Sequence, residues 1–217
     1  MITNLFSTFD PCTGIFSINW IRILIILIII PNNFWILNNK TTIIYKILLI
    51  TIYKEIKTLI KNKRSTLIII SIFILIIINN IIGLIPYIFT ASSHLSFSLS
   101  IAMPIWTSLI LFGWIKKTNK IFKHIIPSGT PNLLIPFIVL IETIRNIIRP
   151  GSLAVRLSAN IIAGHLLITL LGNNIKSIKI IIITIIITII LILFETAVSI
   201  IQSYVFITLS TLYSREI

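Results

Sequence analysis

The chain has 217 residues, 57% of them hydrophobic and only 11% charged, with a mean hydropathy of +1.10. That composition excludes an ordinary soluble domain, and its long apolar runs suit helices that cross a bilayer. Eighteen Lys and Arg against five Asp and Glu give a formal net charge of +13, but the basic residues cluster beside apolar runs. They read as topology signals, so no nucleic-acid partner is expected. Cys12 is the only cysteine, which excludes an intrachain disulfide and a cysteine-based metal cluster.

The N-terminal twenty residues lack a basic start followed by a small-residue cleavage site, so the first span, residues 15–30, is expected to be retained. It closes at Pro31-Asn32-Asn33, a breaker cluster, and Arg22 inside it is expected to snorkel. Residues 41–60 have a different pattern. Ile44, Leu48, Ile52, Ile56 and Leu59 recur at helical spacing, with Lys46, Lys54, Lys57 and Lys61 on other faces, which predicts an amphipathic helix lying on the membrane surface.

Residues 67–87 and 95–115 are two further spans, joined by an uncharged loop from Thr90 to His94. His94 and His124 both read as solvated loop histidines. Seven basic residues between Lys40 and Arg64 face only Glu55, and Lys116, Lys117, Lys120 and Lys123 stand without an acid. Both clusters therefore belong on one side, and the Asn39-Lys40-Thr41 glycosylation match falls on that inner side and is set aside.

Residues 133–171 and 175–213 are apolar stretches of nearly forty residues, about 57 Å long as helices. The hydrocarbon core is only about 30 Å thick. Joined by the short Gly172-Asn173-Asn174 turn, they should tilt steeply as an antiparallel hairpin, with a kink at Pro150-Gly151. The expected fold is one polytopic all-α membrane domain with five membrane-crossing elements and a surface helix.

Chemistry concentrates in that hairpin. Glu142, Arg145, Arg149, Ser152, Arg156, Asn160 and Ala163 follow one another at steps of three or four, making one stripe along a helix. Each ionised group near the bilayer centre costs roughly 2.5–3.5 kcal/mol, so the stripe must face protein or water. Ser152, Ala159, Ala163 and Gly164 are small enough to let a neighbouring helix come close to Arg156. On the returning helix Glu195, Ser199 and Gln202 share a face, and an antiparallel register levels His165 with Glu195 and Arg156 with Gln202. This register requires the second helix to be staggered relative to the Gly172 turn. His165 and Glu195 take and release protons, although a structural buried pair would use the same residues. Arg156 keeps its charge at working pH and suits a fixed barrier.

The run Arg149-Pro150-Gly151-Ser152-Leu153-Ala154-Val155-Arg156-Leu157-Ser158-Ala159-Asn160-Ile161-Ile162-Ala163-Gly164-His165 closely resembles the signature of the ATP synthase subunit a family, particularly its mitochondrial branch. The start Leu5-Phe6-Ser7-Thr8-Phe9-Asp10-Pro11 and the segments Gly83-Leu84-Ile85-Pro86-Tyr87 and Ile141-Glu142 agree. The resemblance implies that Arg156 is the family's essential arginine, facing a ring carboxylate. It further implies that Asn160, His165, Glu195 and Gln202 line the proton paths, protons entering near His165 and Glu195 and leaving on the inner path near Glu142 and Asn160; Arg149, Ser152 and Ser199 are candidate supporting neighbours. Bacterial relatives commonly carry a carboxylate at the position of His165 and often a histidine at that of Glu195, so this chain has the swapped, mitochondrial-like pair.

The function so implied is that of a proton-conducting stator with two offset half-channels, working against a rotating ring of small helical proton-carrying subunits. Its other partners would be peripheral-stalk and further membrane-sector subunits and the lipid bilayer. The implied location is the mitochondrial inner membrane, with a bacterial inner membrane as the alternative. No Gly-rich loop precedes a Lys-Ser or Lys-Thr pair, so no nucleotide chemistry, cofactor or metal of its own is expected. A stand-alone proton channel or secondary transporter would share the intramembrane Arg, Glu and His but should show an internal repeat, and none is visible. A structural subunit of a respiratory complex would leave the Arg156 stripe without a purpose.

The positive-inside pattern puts the N-terminus outside and the C-terminus inside. Cysteines placed at Lys61 and His94 should be labelled from opposite sides of the membrane, and labelling from one side would overturn this topology.

Overall fold

A computed structural model describes residues 9–12, 17–24, 39–59, 63–85, 88–116, 134–173 and 178–216, with single residues at 30, 118, 126 and 131. Five long helices dominate it: α1 (Lys40–Leu59), α2 (Lys63–Gly83), α3 (Leu95–Lys116), α4 (Ile135–Asn173) and α5 (Ile178–Glu216). Two short 3-10 helices, Ile18–Leu24 and Ala91–Ser93, complete the described elements. The last four long helices are long and apolar enough to cross a membrane. The protein is therefore an all-α membrane protein. Of the expected first span, only residues 17–24 and residue 30 fall among the described residues, and His124 lies outside them.

Isoleucine-rich runs become helices here because hydrocarbon offers no partner for a backbone N–H or C=O. Serine and threonine side chains obey the same constraint. Along α5 the hydroxyls of Thr196, Ser199, Ser203, Thr208, Ser210 and Thr211 each donate to the carbonyl three residues earlier, at 2.7–3.1 Å. α2 stops at Gly83, short of the expected span end at residue 87. The residue before Pro86 is biased away from helix, and Leu84 and Ile85 close the end with tighter bonds to the carbonyls of Ile81 and Ile82. α4 continues as one helix through Pro150, so the loss of one backbone donor there does not end it.

The core lies where the helices meet, built from Ile56 of α1, Phe73 and Ile76 of α2, Ala102 of α3, Ala154 and Leu157 of α4, and Phe206 and Ile207 of α5. Only the C-terminal half of the α1 stripe joins it: Ile52, Ile56 and Leu59 pack inward, whereas Ile44 and Leu48 stay exposed. Glu55 accepts a hydrogen bond from the Tyr204 hydroxyl at 3.3 Å, tying α1 to α5. His94 is not a solvated loop residue. Its Nε2 lies 2.9 Å from the Phe9 carbonyl, and its ring joins those of Trp20 and Phe89 in a three-ring cluster with centroids 5.2–5.5 Å apart.

Phe206 is 2% exposed and lines the cleft where Pro150 and Leu153 meet α5. Phe206→Ala should lower the thermal midpoint of the solubilised protein. Lipid is as apolar as this site, so lost contacts rather than transfer set the cost. It should therefore fall below the about 3–5 kcal/mol typical of soluble cores. An unchanged midpoint in thermal unfolding would show that the cleft contributes nothing.

Candidate functional site

The site grows from the contact between α4 and α5. Small buried residues on α4, among them Ala154, Ser158 and Gly164, allow the closely packed approach that helices use in lipid. A Cβ on residue 164 would stand 2.5 Å from Cδ of Glu195. The carboxyl group thus rests on the bare backbone of α4, and any larger residue would displace it.

The pairing along the two helices is antiparallel. Gly164 meets Glu195, Pro150 and Leu153 share a cleft with Phe206 and Ser210, and the Arg149 guanidinium lies 4.8 Å from the centre of the Tyr213 ring. Gly164 is near the end of α4 while Glu195 is almost midway along α5. The stagger that the expected register required is therefore present.

Between these helices and α2 lies a cavity of about 230 Å³, far larger than the about 10–15 Å³ that a single water requires. Its polar lining is Asn80, Asn160, Glu195, Ser199 and Gln202. Glu195 is 9% exposed, and neither of its carboxyl oxygens has a hydrogen-bond partner among the described residues. The same holds for Oδ1 of Asn80. Buried groups of this kind carry a large cost unless something polar meets them, and the cavity is large enough to admit water to them.

Four of the expected residues, Asn160, Glu195, Ser199 and Gln202, come together there. His165 does not pair with Glu195. Its Nε2 lies 2.7 Å from the Gly83 carbonyl at the end of α2, an oxygen that the helix itself leaves without a donor, and Phe9 packs edge-to-face on its ring. Asn160 sits with Glu195 rather than with Glu142, because it stands one turn beyond Arg156 in the direction of His165. Asn80 was missed. Two asparagines, Asn79 and Asn80, inside an isoleucine run are an intramembrane polar signal, masked by the otherwise uniform apolarity of the span.

The charged stripe divides into separate environments. Glu142 is held by Arg145 at 2.9 Å, with the arginine side chain 61% exposed. Arg149 stacks on Tyr213, and Ser152 is exposed, its hydroxyl turned back to the Arg149 carbonyl at 3.0 Å. Arg156 is exposed too, with Ala159 and Ala163 beside it, and no carboxylate among the described residues lies within ion-pair distance of it. It occupies a face of small residues about 6 Å along the helix from Asn160. Among the described residues no group of three His, Cys, Asp or Glu could hold a metal ion.

A family model described as ATP synthase A chain matches residues 15–215. The chain belongs to that family. Among its relatives, ATP synthase subunit a of Locusta migratoria is 53% identical, that of Aedes albopictus 54% and that of Drosophila melanogaster 51%, each over the whole of both chains. The expected family is thereby established. With its apolar helices and insect relatives, this member of the ATP synthase A chain family is a multi-pass protein of the mitochondrial inner membrane, and membership implies that it works in a complex with other subunits.

Gly164→Ala tests the contact on which the cavity depends. The Glu195 side chain is flexible at its far end, so the helices should still pack while the carboxyl swings away. Proton-driven ATP synthesis by the assembled complex should fall at least tenfold, a loss of about 1.4 kcal/mol in barrier terms. Wild-type rates would show that the position of the carboxyl does not matter.

Proposed function

We propose that this chain is the proton-conducting stator of the ATP synthase membrane sector, providing two offset half-channels that load and unload protons on a rotating ring of small helical subunits. The reading rests above all on one juxtaposition: a buried, unpartnered Glu195 against Gly164, in a cavity that it shares with Asn80, Asn160, Ser199 and Gln202, about two turns along α4 from an exposed, unpaired Arg156. An arginine facing bare hydrocarbon would be costly. A partner that covers it and brings a carboxylate resolves that cost, and the small residues beside it leave room for a partner helix.

In this scheme a proton enters near His165, reaches Glu195 through the cavity, and passes by way of Asn160 and Gln202 to a ring carboxylate. Ser199 and Asn80 supply further polar groups to that path. Arg156 attracts the carboxylate once it is ionised and releases it when a proton arrives. Its fixed charge also repels any proton moving directly from one half-channel to the other. The returning proton leaves on the inner side, where Glu142 stands about 21 Å along α4 from Arg156. Arg145 and Arg149 keep that exit positive. Peripheral-stalk and other membrane-sector subunits would hold the chain still against the ring. The work available is about 2.3 kcal/mol per elementary charge per 100 mV, so several protons must be combined for each ATP made elsewhere in the complex.

Arg156→Ala should abolish proton-driven ATP synthesis in reconstituted vesicles while the complex stays assembled, and passive proton leak should rise. Arg156→Lys should also be defective, because an ammonium group loses its proton on desolvation and lacks the planar fork. Near wild-type synthesis by intact Arg156→Ala complexes would reassign the exposed face to subunit packing alone.

A further inference from the structure

Two histidines far apart in sequence are bound to the same short N-terminal segment. His94 Nε2 lies 2.9 Å from the Phe9 carbonyl oxygen, and the His94 ring is held by Trp20 and Phe89, each with its centroid 5.2 Å away. A carbonyl only accepts hydrogen bonds, so Nε2 of His94 is the nitrogen that carries hydrogen. The same logic applies to His165. Its Nε2 donates to the Gly83 carbonyl at 2.7 Å, which leaves Nδ1 as the nitrogen with a free lone pair. Phe9 connects the two sites, since its ring meets the His165 ring at 5.9 Å and 88°.

We propose that His94 is a positioning residue for proton uptake at His165, acting through Phe9. The hydrogen bond from His94 fixes the backbone of residue 9, and the Phe9 ring then limits rotation of the His165 imidazole, keeping Nε2–H on Gly83 and Nδ1 as the basic nitrogen. The opposite wall is fixed as well. A Cβ on Gly83 would lie 3.3 Å from Cγ2 of Thr90, so the end of α2 is packed tightly against the loop that carries His94. Without the Phe9 wall, the imidazole turns about its Cβ–Cγ bond, the Gly83 bond loosens, and either nitrogen can take the proton.

The ionisable groups around His165 are few among the described residues. Glu195 of α5 lies against the adjacent Gly164, while Asp10 and His94 belong to the N-terminal contact. α2 offers the neutral Asn79 and Asn80 near this end, its Lys63 and Arg64 being at the other, and Lys116 of α3 is likewise at the far end of its helix.

This inference rests on the reading of His165 as part of the proton path. Both are tested by measuring proton-driven ATP synthesis in vesicles bearing the assembled complex, as a function of pH on the outer side. His94→Ala and Phe9→Ala should each displace the midpoint of the profile by about half a pH unit, roughly threefold in proton affinity. His94→Gln, whose amide N–H can still donate to the Phe9 carbonyl, should restore it. A lower yield of complex with an unchanged profile would mean that His94 is structural only, and would overturn the proposal. If His94→Ala does not assemble, Phe9→Ala decides, because it keeps the backbone bond and removes only the ring. His165→Ala separates the two ideas. Loss of synthesis there with an unchanged His94→Ala profile sinks the positioning role alone, whereas full synthesis by His165→Ala sinks the path itself.

Discussion

Glu195 reaches the interface of α4 and α5 only because residue 164 has no side chain. A carboxyl group in a bilayer needs protein or water around it, and here the surroundings are made by bringing two helices so close that one backbone becomes the floor beneath the acid. Much else follows from that approach. The run of small residues on α4, the staggered register, and the cavity that Gln202 and Asn160 line together and that reaches to Asn80 all require the two long helices to meet at this point. Were they a few ångströms further apart, the same side chains would line a lipid-filled gap.

The contact also divides labour around the circumference of α4. Leu153, Ala154 and Leu157 face inward and build the core, while Val155, Arg156 and Ala159 face outward. Asn160 stands at the boundary, half-buried, close to the arginine along the helix and to the acid across the cavity. Gly164, against which Glu195 of α5 rests, stands eight residues beyond Arg156, so the fixed charge and the acid are held about 12 Å apart along α4. That separation is what a device needs if charge is to be felt without a proton being passed directly.

Much of this was legible from the sequence, and the residues show where legibility ends. Helical periodicity located the stripe from Glu142 to Ala163, and a simple antiparallel register already levelled the outer part of α4 with Glu195. Periodicity describes one helix at a time, however. It could not show that His165 turns to Gly83, eighty-two residues earlier, instead of to the acid at its own level. Nor could it recover His94 from its loop, because the contact that buries it comes from Phe9, in a segment whose composition carries no helical or strand signal. Asn80 stayed hidden for another reason: an isoleucine run long enough to span a membrane is recognised from its average, and one amide hardly moves an average. The resemblance put Glu142 on the inner path, but its bond to Arg145 depends on rotamers that composition does not encode.

The hydroxyls of α5 have a consequence for how such a chain is made. Because Thr196, Ser199, Ser203 and their neighbours are bonded to their own helix, the segment needs no other helix to satisfy them. It can leave the ribosome and enter the bilayer as a finished cylinder, stable there before its neighbours have docked. Two polar groups on α5 wait for assembly: the Tyr204 hydroxyl, which bonds to Glu55 of α1, and the carboxyl of Glu195, which finds its place only when the glycine of α4 arrives beside it. Biogenesis thus has an internal order. The apolar cylinders come first, and the acid, which is costly to leave in lipid, draws the last two of them together.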